Sequence, residues 1–316
     1  MSMKVVVLAG GLSHEREVSL HSGRRVAQAL KSAGLDVIES DVTATLVDTL
    51  KSIDDPVVFP TLHGGVGEDG GLQQALKLLG VPYVGSRPSV CRRAFNKAIA
   101  GPLVSEAGLT TPRSAVLPHD MFTELGAGHL VKALAEYIGF PMMVKPVRSG
   151  SSLGATRVDK LSELPQAMVG AFAYGDVNIV EEYVEGTEVA VSVLELDGQL
   201  QALPAVQIDP VSGFYDYTAR YTAGETKFTT PADISDAAAQ AVAELALSAH
   251  RILGLRDLSR TDAIIRPDGT PVFIEINSAP GMTETSLMPM AVEAAGLDFG
   301  EVCARLVKQA AARGRD

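Results

Sequence analysis

Near the C-terminus two carboxylates, an amide and a guanidinium fall close together in the chain, and their spacing could do chemistry. The segment reads Arg260-Thr-Asp262-Ala-Ile-Ile-Arg-Pro-Asp-Gly-Thr-Pro-Val-Phe-Ile-Glu275-Ile-Asn277. Pro267-Asp268-Gly269 between two apolar runs is a turn signal, because proline presets φ and glycine accepts a positive one. A two-residue loop at Asp268–Gly269 sets Pro267 opposite Thr270, Asp262 opposite Glu275 and Arg260 opposite Asn277. Side chains alternate along a strand, so these last four share one face, while Ala263, Ile274 and Ile276 take the other. A loop one residue longer would shift every pair by one. Directly opposed carboxylates repel, and a divalent cation removes that conflict. Asp, Glu and Asn oxygens are hard ligands, suited to Mg²⁺, which also takes phosphate oxygens and waters. The competing reading is a solvated polar strand face, where surface pairs are worth at most about 1 kcal/mol.

Other segments carry weaker signals. Lys145 ends an apolar strand before Pro146, and Arg148-Ser-Gly-Ser-Ser-Leu-Gly154 follows with small residues, hydroxyls and backbone N–H groups that can close over phosphates. The G-x-x-x-x-G-K-[ST] order is absent, so this is no Walker A loop; a plain surface loop is the alternative. Glu181-Glu-Tyr-Val-Glu-Gly-Thr-Glu188 offers backbone groups to an adenine and carboxylates to a ribose, or is simply an exposed turn. Gly10-Gly-Leu-Ser-His-Glu15 lacks the G-x-G-x-x-G spacing of a dinucleotide site. His63, in Leu-His-Gly-Gly, falls at a strand end where binding residues concentrate, whereas His14 and His21 read as structural or exposed.

The elements that must position these groups follow from periodicity. Met3–Ala9 is a continuous β-branched run, the pattern of a buried parallel strand. A helix over Val18–Ala33, strands at Leu35–Ser40 and Val57–Thr61, a helix over Gly71–Leu79 and a short strand at Val81–Val84 continue a βαβ rhythm. That rhythm predicts a small open sheet with helices on both faces and ligands beyond the strands' carboxyl ends. Residues 88–110 read as a helical link. Strands at Gly139–Pro146, Ser152–Val158, Val177–Tyr183, Val189–Glu195 and Leu200–Ala202, with a helix near Leu161–Ala173, read as an antiparallel α+β unit. Residues 208–230 read as one long polar, aromatic loop, and loops of that length are usually functional. Ile234–Leu253 reads as a core-packed helix, followed by two strands and two helices.

Composition bounds the function. Across 316 residues, 38 Asp+Glu outweigh 27 Lys+Arg for a net charge of −11, which disfavours a nucleic-acid footprint built from clustered cations. No apolar run approaches the roughly 18 residues of a membrane span, and Gly10–Gly11 break the N-terminal run before it could serve as a signal peptide. Cys91 and Cys303 are too few and too far apart for a disulfide framework, so the cytoplasm is the default compartment.

Taken together, several motifs resemble the D-alanine–D-alanine ligases of the ATP-grasp superfamily. They are Gly10-Gly-Leu-Ser-His-Glu-Arg-Glu-Val-Ser-Leu20, Leu62-His-Gly-Gly-Val-Gly-Glu-Asp-Gly-Gly71, Val144-Lys-Pro, Gly150-Ser-Ser, Phe214-Tyr-Asp-Tyr-Thr-Ala-Arg-Tyr221, Arg260-Thr-Asp262 and Glu275-Ile-Asn-Ser-Ala-Pro-Gly-Met-Thr283. They span nearly the whole chain in the family's order. The resemblance implies an ATP-grasp fold of class α/β and α+β: an N-terminal open parallel domain over 1–95 and two α+β domains, 96–186 and 187–316, that sandwich ATP. By position in the motifs, Lys97 and Lys145 contact phosphates, while Ser152, Glu181, Tyr183, Val184, Glu188 and Ile274 hold the rest of the nucleotide. Asp262, Glu275 and Asn277 ligate two Mg²⁺ ions, with Mn²⁺ an alternative occupant. Arg260 and the backbone of Gly281 stabilise a developing oxyanion. Ser286 and Leu287 hold the second substrate's carboxylate. Glu15, Ser151 and Tyr221 form the trio that orients the substrates, with His63 beside them. The implied activity is ATP-dependent joining of two D-alanines through a D-alanyl phosphate for peptidoglycan precursors, by a homodimer. Two positions depart from the family: Ser149 stands where a glutamate is usual, and Arg220 where a lysine is common, which opens the alternative of a different D-amino acid as second substrate. A nucleotide-binding regulator without catalysis is a third reading, against which the intact Arg260, Asp262, Glu275 and Asn277 set stands.

Overall fold

The computed structural model describes residues 3–222 and 224–314, and of Tyr221 the backbone only. Three sheets follow one another along the chain. The first is parallel, in the order β2–β1–β3, with β1 Lys4–Ala9, β2 Asp36–Asp41 and β3 Pro56–Pro60. The β1 run is apolar throughout because both its faces are covered. Val5 and Val7 pack toward the helix Arg16–Ser32 and the C-terminal helix Phe299–Arg313, whereas Val6 and Leu8 pack toward Leu46–Lys51 and Gly71–Leu79. Val81–Val84 is not a strand: it touches β3 through one parallel bridge, Val58 with Tyr83. Its four residues, closed off by Pro82, are too short to continue the ladder.

The second sheet is antiparallel, β4–β7–β5–β6, with β4 Ser114–Pro118, β5 Met142–Pro146, β6 Thr156–Val158 and β7 Val177–Glu182. Of the expected strand Ser152–Val158 only the last three residues are extended, since Ser151 and Ser152 adopt φ of 54° and 56° in a tight loop. The third sheet is also antiparallel. It comprises β8 Thr187–Leu196, β9 Gln199–Ala202, β10 Val206–Pro210, β11 Thr226–Thr229, β12 Leu258–Ile265 and β13 Pro271–Asn277, in the order β11–β10–β8–β12–β13 with β9 also on β8. The stretch 208–230 is therefore no plain loop. It is the end of β10, a five-residue helix Tyr217–Tyr221 capped by Asp216, and β11 paired back onto β10.

Core packing crosses the order of the chain. Helices Pro88–Phe95 and Lys97–Glu106 bury Val90, Ala94, Ala100 and Val104 against the third sheet and the helix Asp236–Leu253. The C-terminal helices bury Met288, Val302 and Leu306 in a core shared with β1 and β8. The first and third sheets thus meet through one apolar interior, which fixes the space between them. Among the described residues no helix is long and apolar enough to cross a membrane.

Candidate active site

The β12–β13 hairpin reaches the foreseen pairing by an unforeseen route. Its loop is one residue longer than two: Arg266 N–H donates to the Thr270 carbonyl at 3.0 Å, and Ala263 pairs with Phe273 rather than with Ile274. A β-bulge between Asp262 and Ala263 absorbs the extra residue. Beyond it Asp262 lies opposite Glu275 and Arg260 opposite Asn277, as the two-residue loop would have placed them. The bulge also corrects the expectation that Ile274 faces away, for Ile274 lines the same cavity as Asp262 and Glu275. Bulges re-aim side chains in this way next to sites.

The opposed carboxylates are each offset by a cation. Arg260 donates Nε–H and Nη2–H to the two oxygens of Asp262 at 2.6 and 2.8 Å. Lys97 Nζ lies 3.0 Å from Glu275 Oε2 and donates to the Ser149 carbonyl at 2.8 Å. Burial pushes the Glu275 carboxyl up, yet Lys97, Arg220 and Lys145 hold it well below the usual carboxylate range. Asn277 Oδ1 accepts from Ala279 N–H at 2.8 Å. Among the described residues no group of three His, Cys, Asp or Glu side chains converges as a metal centre. Two carboxylates and an amide oxygen on a pair of adjacent strands are too few for a closed protein cage. They suit a hard cation that completes its shell with phosphate oxygens and water, so the donor set fits Mg²⁺.

Two cavities meet at this hairpin. The larger, about 590 Å³, lies between the carboxyl ends of the first sheet and the third sheet. His63, Ser151, Arg260, Asn277, Gly281 and Ser286 are among the residues lining it. The smaller, about 130 Å³, lies between the two antiparallel sheets. Lys145, Ser152, Glu181, Tyr183, Val184, Glu188, Asp262 and Ile274 line it. Five residues line both: Lys97, Ser149, Tyr215, Arg220 and Glu275. Ligand sites run to roughly 300 Å³ or more. The smaller cavity falls short because the 213–220 segment lies over it. Ser152 Oγ–H donates to the Tyr215 carbonyl at 2.9 Å, and Arg220 stacks on the Tyr215 ring at 4.1 Å while its Nε–H donates to Ser152 Oγ at 3.2 Å.

Within the smaller cavity Lys145 Nζ lies 2.6 Å from Glu181 Oε2, both side chains at most a tenth exposed. Glu181 is therefore committed to a lysine as well as to the cavity edge. The Tyr183 ring is covered by the Arg157 guanidinium at 4.2 Å. Burial pushes the Glu188 carboxyl up to about 7, against the pull of Arg220.

Ser151, on the wall of the larger cavity, donates its Oγ–H at 3.2 Å to Glu15, which is buried behind that wall. Gly64 sits at φ +67°, where an added Cβ would lie 2.4 Å from Glu15 Oε2, so glycine is required on both counts. At Gly281 a Cβ would lie 2.7 Å from Ser286 Oγ. Ser286 precedes the helix Leu287–Ala294, and such an N-terminus favours a carboxylate. The side chain of Tyr221 lies outside the described residues; its backbone ends the helix over the cavity.

Some lining residues escaped the sequence reading. His21, taken as structural or exposed, is exposed and lines the larger cavity with Glu17 and Val18, because the helix Arg16–Ser32 starts at its rim. Glu68 is buried on the same wall, and burial pushes its carboxyl up to about 7, with Glu15 and Glu275 adding to the effect. Its place in the Leu62–Gly71 motif was the available signal. The thiols of Cys91 and Cys303, pushed by burial up to about 11 and about 12, are inert at neutral pH.

Comparison with known proteins places this arrangement. The family model described as D-ala D-ala ligase C-terminus matches residues 103–308, and that described as D-ala D-ala ligase N-terminus matches 39–86. The D-alanine–D-alanine ligase of Anaeromyxobacter sp. (strain K) is 40% identical over 308 residues, covering 98% of this chain and 97% of that protein. The crystal structure of the VanG D-Ala:D-Ser ligase from Enterococcus faecalis superposes with a TM-score of 0.84 at 32% identity, over 98% of this chain and 100% of that one. The D-alanine–D-alanine ligase from Bacillus anthracis complexed with ATP superposes with a TM-score of 0.82 at 25% identity, over 99% and 98% of the two chains. Identity sustained over almost the full length, on the same fold, shows that the chain belongs to the D-alanine–D-alanine ligase family.

Proposed function

We propose that this chain joins two D-alanine molecules at the expense of ATP, the nucleotide in the smaller cavity and the amino acids in the larger. The observation that carries the reading is the junction of the two cavities at Lys97, Arg220 and Glu275. A carboxylate is a poor electrophile. Transfer of the γ-phosphoryl group to the first D-alanine's carboxylate oxygen gives an acyl phosphate and ADP. The second D-alanine's amine then attacks the acyl carbon, phosphate leaves with the C–O bonding pair, and the amine gives up a proton. Charge grows first on the transferring phosphoryl group and then on the tetrahedral oxygen, and preorganised cations and N–H groups lower both barriers.

In this reading Lys97 and Lys145 face the phosphates. Asp262, Glu275 and Asn277 would hold Mg²⁺, which supplies further neutralisation of phosphate charge when bound. Arg260 and Gly281 N–H face the oxyanion. Glu15, Ser151 and Tyr221 orient the first amino acid, and the Ser151–Glu15 hydrogen bond supports a trio of that kind. Leu287 N–H at its helix start, with Ser286, receives the second carboxylate. The 213–220 segment, folded over the smaller cavity, excludes water from the acyl phosphate and must lift to admit the nucleotide. A cytoplasmic homodimer built from domains 1–95, 96–186 and 187–316 belongs to the same reading, and light scattering tests the dimer.

Mass spectrometry of the products from ATP, Mg²⁺ and D-alanine is the direct test. D-alanyl-D-alanine with one ADP and one phosphate per dipeptide is the expected outcome; phosphate release equal with L-alanine, or none, refutes it. Arg220, in place of the common lysine, and the D-Ala:D-Ser relative support a second reading, in which D-serine or another D-amino acid is the preferred nucleophile. Faster dipeptide formation with D-serine in the same assay would select it.

A further inference from the structure

Three hydrogen bonds tie the turn that carries Gly281 to the opposite wall of the larger cavity. Met282 N–H donates to Ser22 Oγ at 3.1 Å, Ser22 Oγ lies 3.0 Å from His63 Nε2, and His63 Nδ1 lies 3.1 Å from the Ala279 carbonyl. Ser22 is fully buried and His63 nearly so. The proton positions follow by elimination. A carbonyl only accepts, so His63 Nδ1 carries the proton; in the neutral ring Nε2 is then an acceptor, and the Ser22 hydroxyl, already accepting from Met282, gives its own proton to Nε2. Burial lowers the His63 pKa to about 4, with Arg260 adding to the effect, so the ring stays neutral at working pH. Next to Ser22 on the same helix, Arg25 donates Nη1–H to the Thr283 carbonyl. The turn is thus clamped on both sides of Gly281, at Ala279 and at Met282–Thr283, by elements of the first domain.

We infer that Ser22 is a positioning residue that, with His63 as a neutral strut, aims the Gly281 N–H at the oxyanion of the amide-forming step. This rests on the functional reading above. Neither side chain needs to move a proton. Their effect is on the second step, because the phosphoryl group is transferred at the Lys97, Lys145 and Glu275 side of the junction. A mis-aimed N–H therefore slows capture by the amine while phosphorylation continues. The acyl phosphate then meets water, whose oxygen bonds to the acyl carbon as phosphate leaves, giving back D-alanine and a net hydrolysis of ATP.

The test counts phosphate released against D-alanyl-D-alanine formed, using the full chain with ATP, Mg²⁺ and D-alanine. The parent gives a ratio near one. Ser22→Ala should raise the ratio severalfold and lower dipeptide kcat about tenfold, less than the ~10²–10³ seen when an oxyanion donor is removed outright, with KM for ATP unchanged. The ratio is counted per turnover, so a fraction of unfolded protein does not move it. Ser22→Thr, which keeps the hydroxyl, should return the ratio toward one. The Ser22→Ala defect should be equal at pH 6.5 and 8.5. A ratio of one in active Ser22→Ala overturns the positioning role, and a defect that changes with pH overturns the neutral strut. Absence of any dipeptide from the parent chain overturns the functional reading instead.

Discussion

Removing the Lys145 ammonium should damage stability and activity separately, and a second substitution should restore only one of them. Lys145 and Glu181 are 8% and 7% exposed and lie 2.6 Å apart on neighbouring strands β5 and β7. Lys145→Met leaves the Glu181 carboxylate buried beside an apolar side chain, and breaking a buried pair from one side costs about 3–5 kcal/mol. At about 2 °C per kcal/mol for a chain of this size, thermal unfolding should fall by about 6–10 °C. Lys145→Met with Glu181→Met removes both charges, and such replacements are often neutral, so most of the loss should return. Activity should not return, because the ammonium proposed to face the phosphates is still missing; phosphate release should stay at least about a hundredfold below the parent in both variants. Circular dichroism melts and a coupled ADP assay read the two quantities. A single variant melting within 1 °C of the parent, or a double variant no more stable than the single, would refute the buried-pair reasoning. Full turnover in the double variant would remove Lys145 from the phosphate site.

Three further outcomes follow from the same geometry. Glu275→Gln should cut turnover by about 10²–10³ and also lower the melt, because the amide keeps the shape but loses the charge that faces Lys97, Arg220 and Lys145; undiminished turnover would take Glu275 out of the site. Gly281→Ala should lower kcat by more than tenfold, since its Cβ would lie 2.7 Å from Ser286 Oγ and displace the turn; parent-like kinetics would show that the turn has room to give. The Glu68 carboxyl, with pKa about 7 in the folded chain and an ordinary 4.5 when unfolded, keeps its proton in the native state across that interval. The native state binds the extra proton, so Glu68 makes stability fall as pH rises from 4.5 to 7. Glu68→Gln should remove that slope, and stability relative to the parent should gain about 1.4 kcal/mol per pH unit over that window. Denaturation midpoints at several pH values check it, and parallel curves for the two proteins would contradict it.

Much of the architecture was legible because it is written locally. The β-branched run of β1, the turn at Pro267–Gly269 and the apolar period of the helix Asp236–Leu253 each declare an element within a few residues. The opposed pair Asp262 and Glu275 was legible too, since alternation on two adjacent strands needs only a turn to bring them together. What stayed hidden depends on partners distant in the chain. Strand Ser114–Pro118 and helices His119–Leu125 and Ala127–Ile138 carry few deeply buried residues of their own and are held against the second sheet. The polar stretch 208–230 becomes strand, helix and strand only because β10 offers β11 an edge. The extra loop residue and the bulge that cancels it could not be told from a shorter loop, as both give the same pairing at Asp262. Types and spacings along the chain, with the family resemblance they carry, thus named the groups proposed to face phosphate and oxyanion charge. Which lysine meets Glu275 was decided by the packing of helix Lys97–Glu106 on the third sheet, and which serine and histidine grip the turn at Gly281 by the core shared between the first and third sheets. Ser22 and Met282, 260 positions apart, are brought within 3.1 Å there, and no local pattern encodes a distance of that kind.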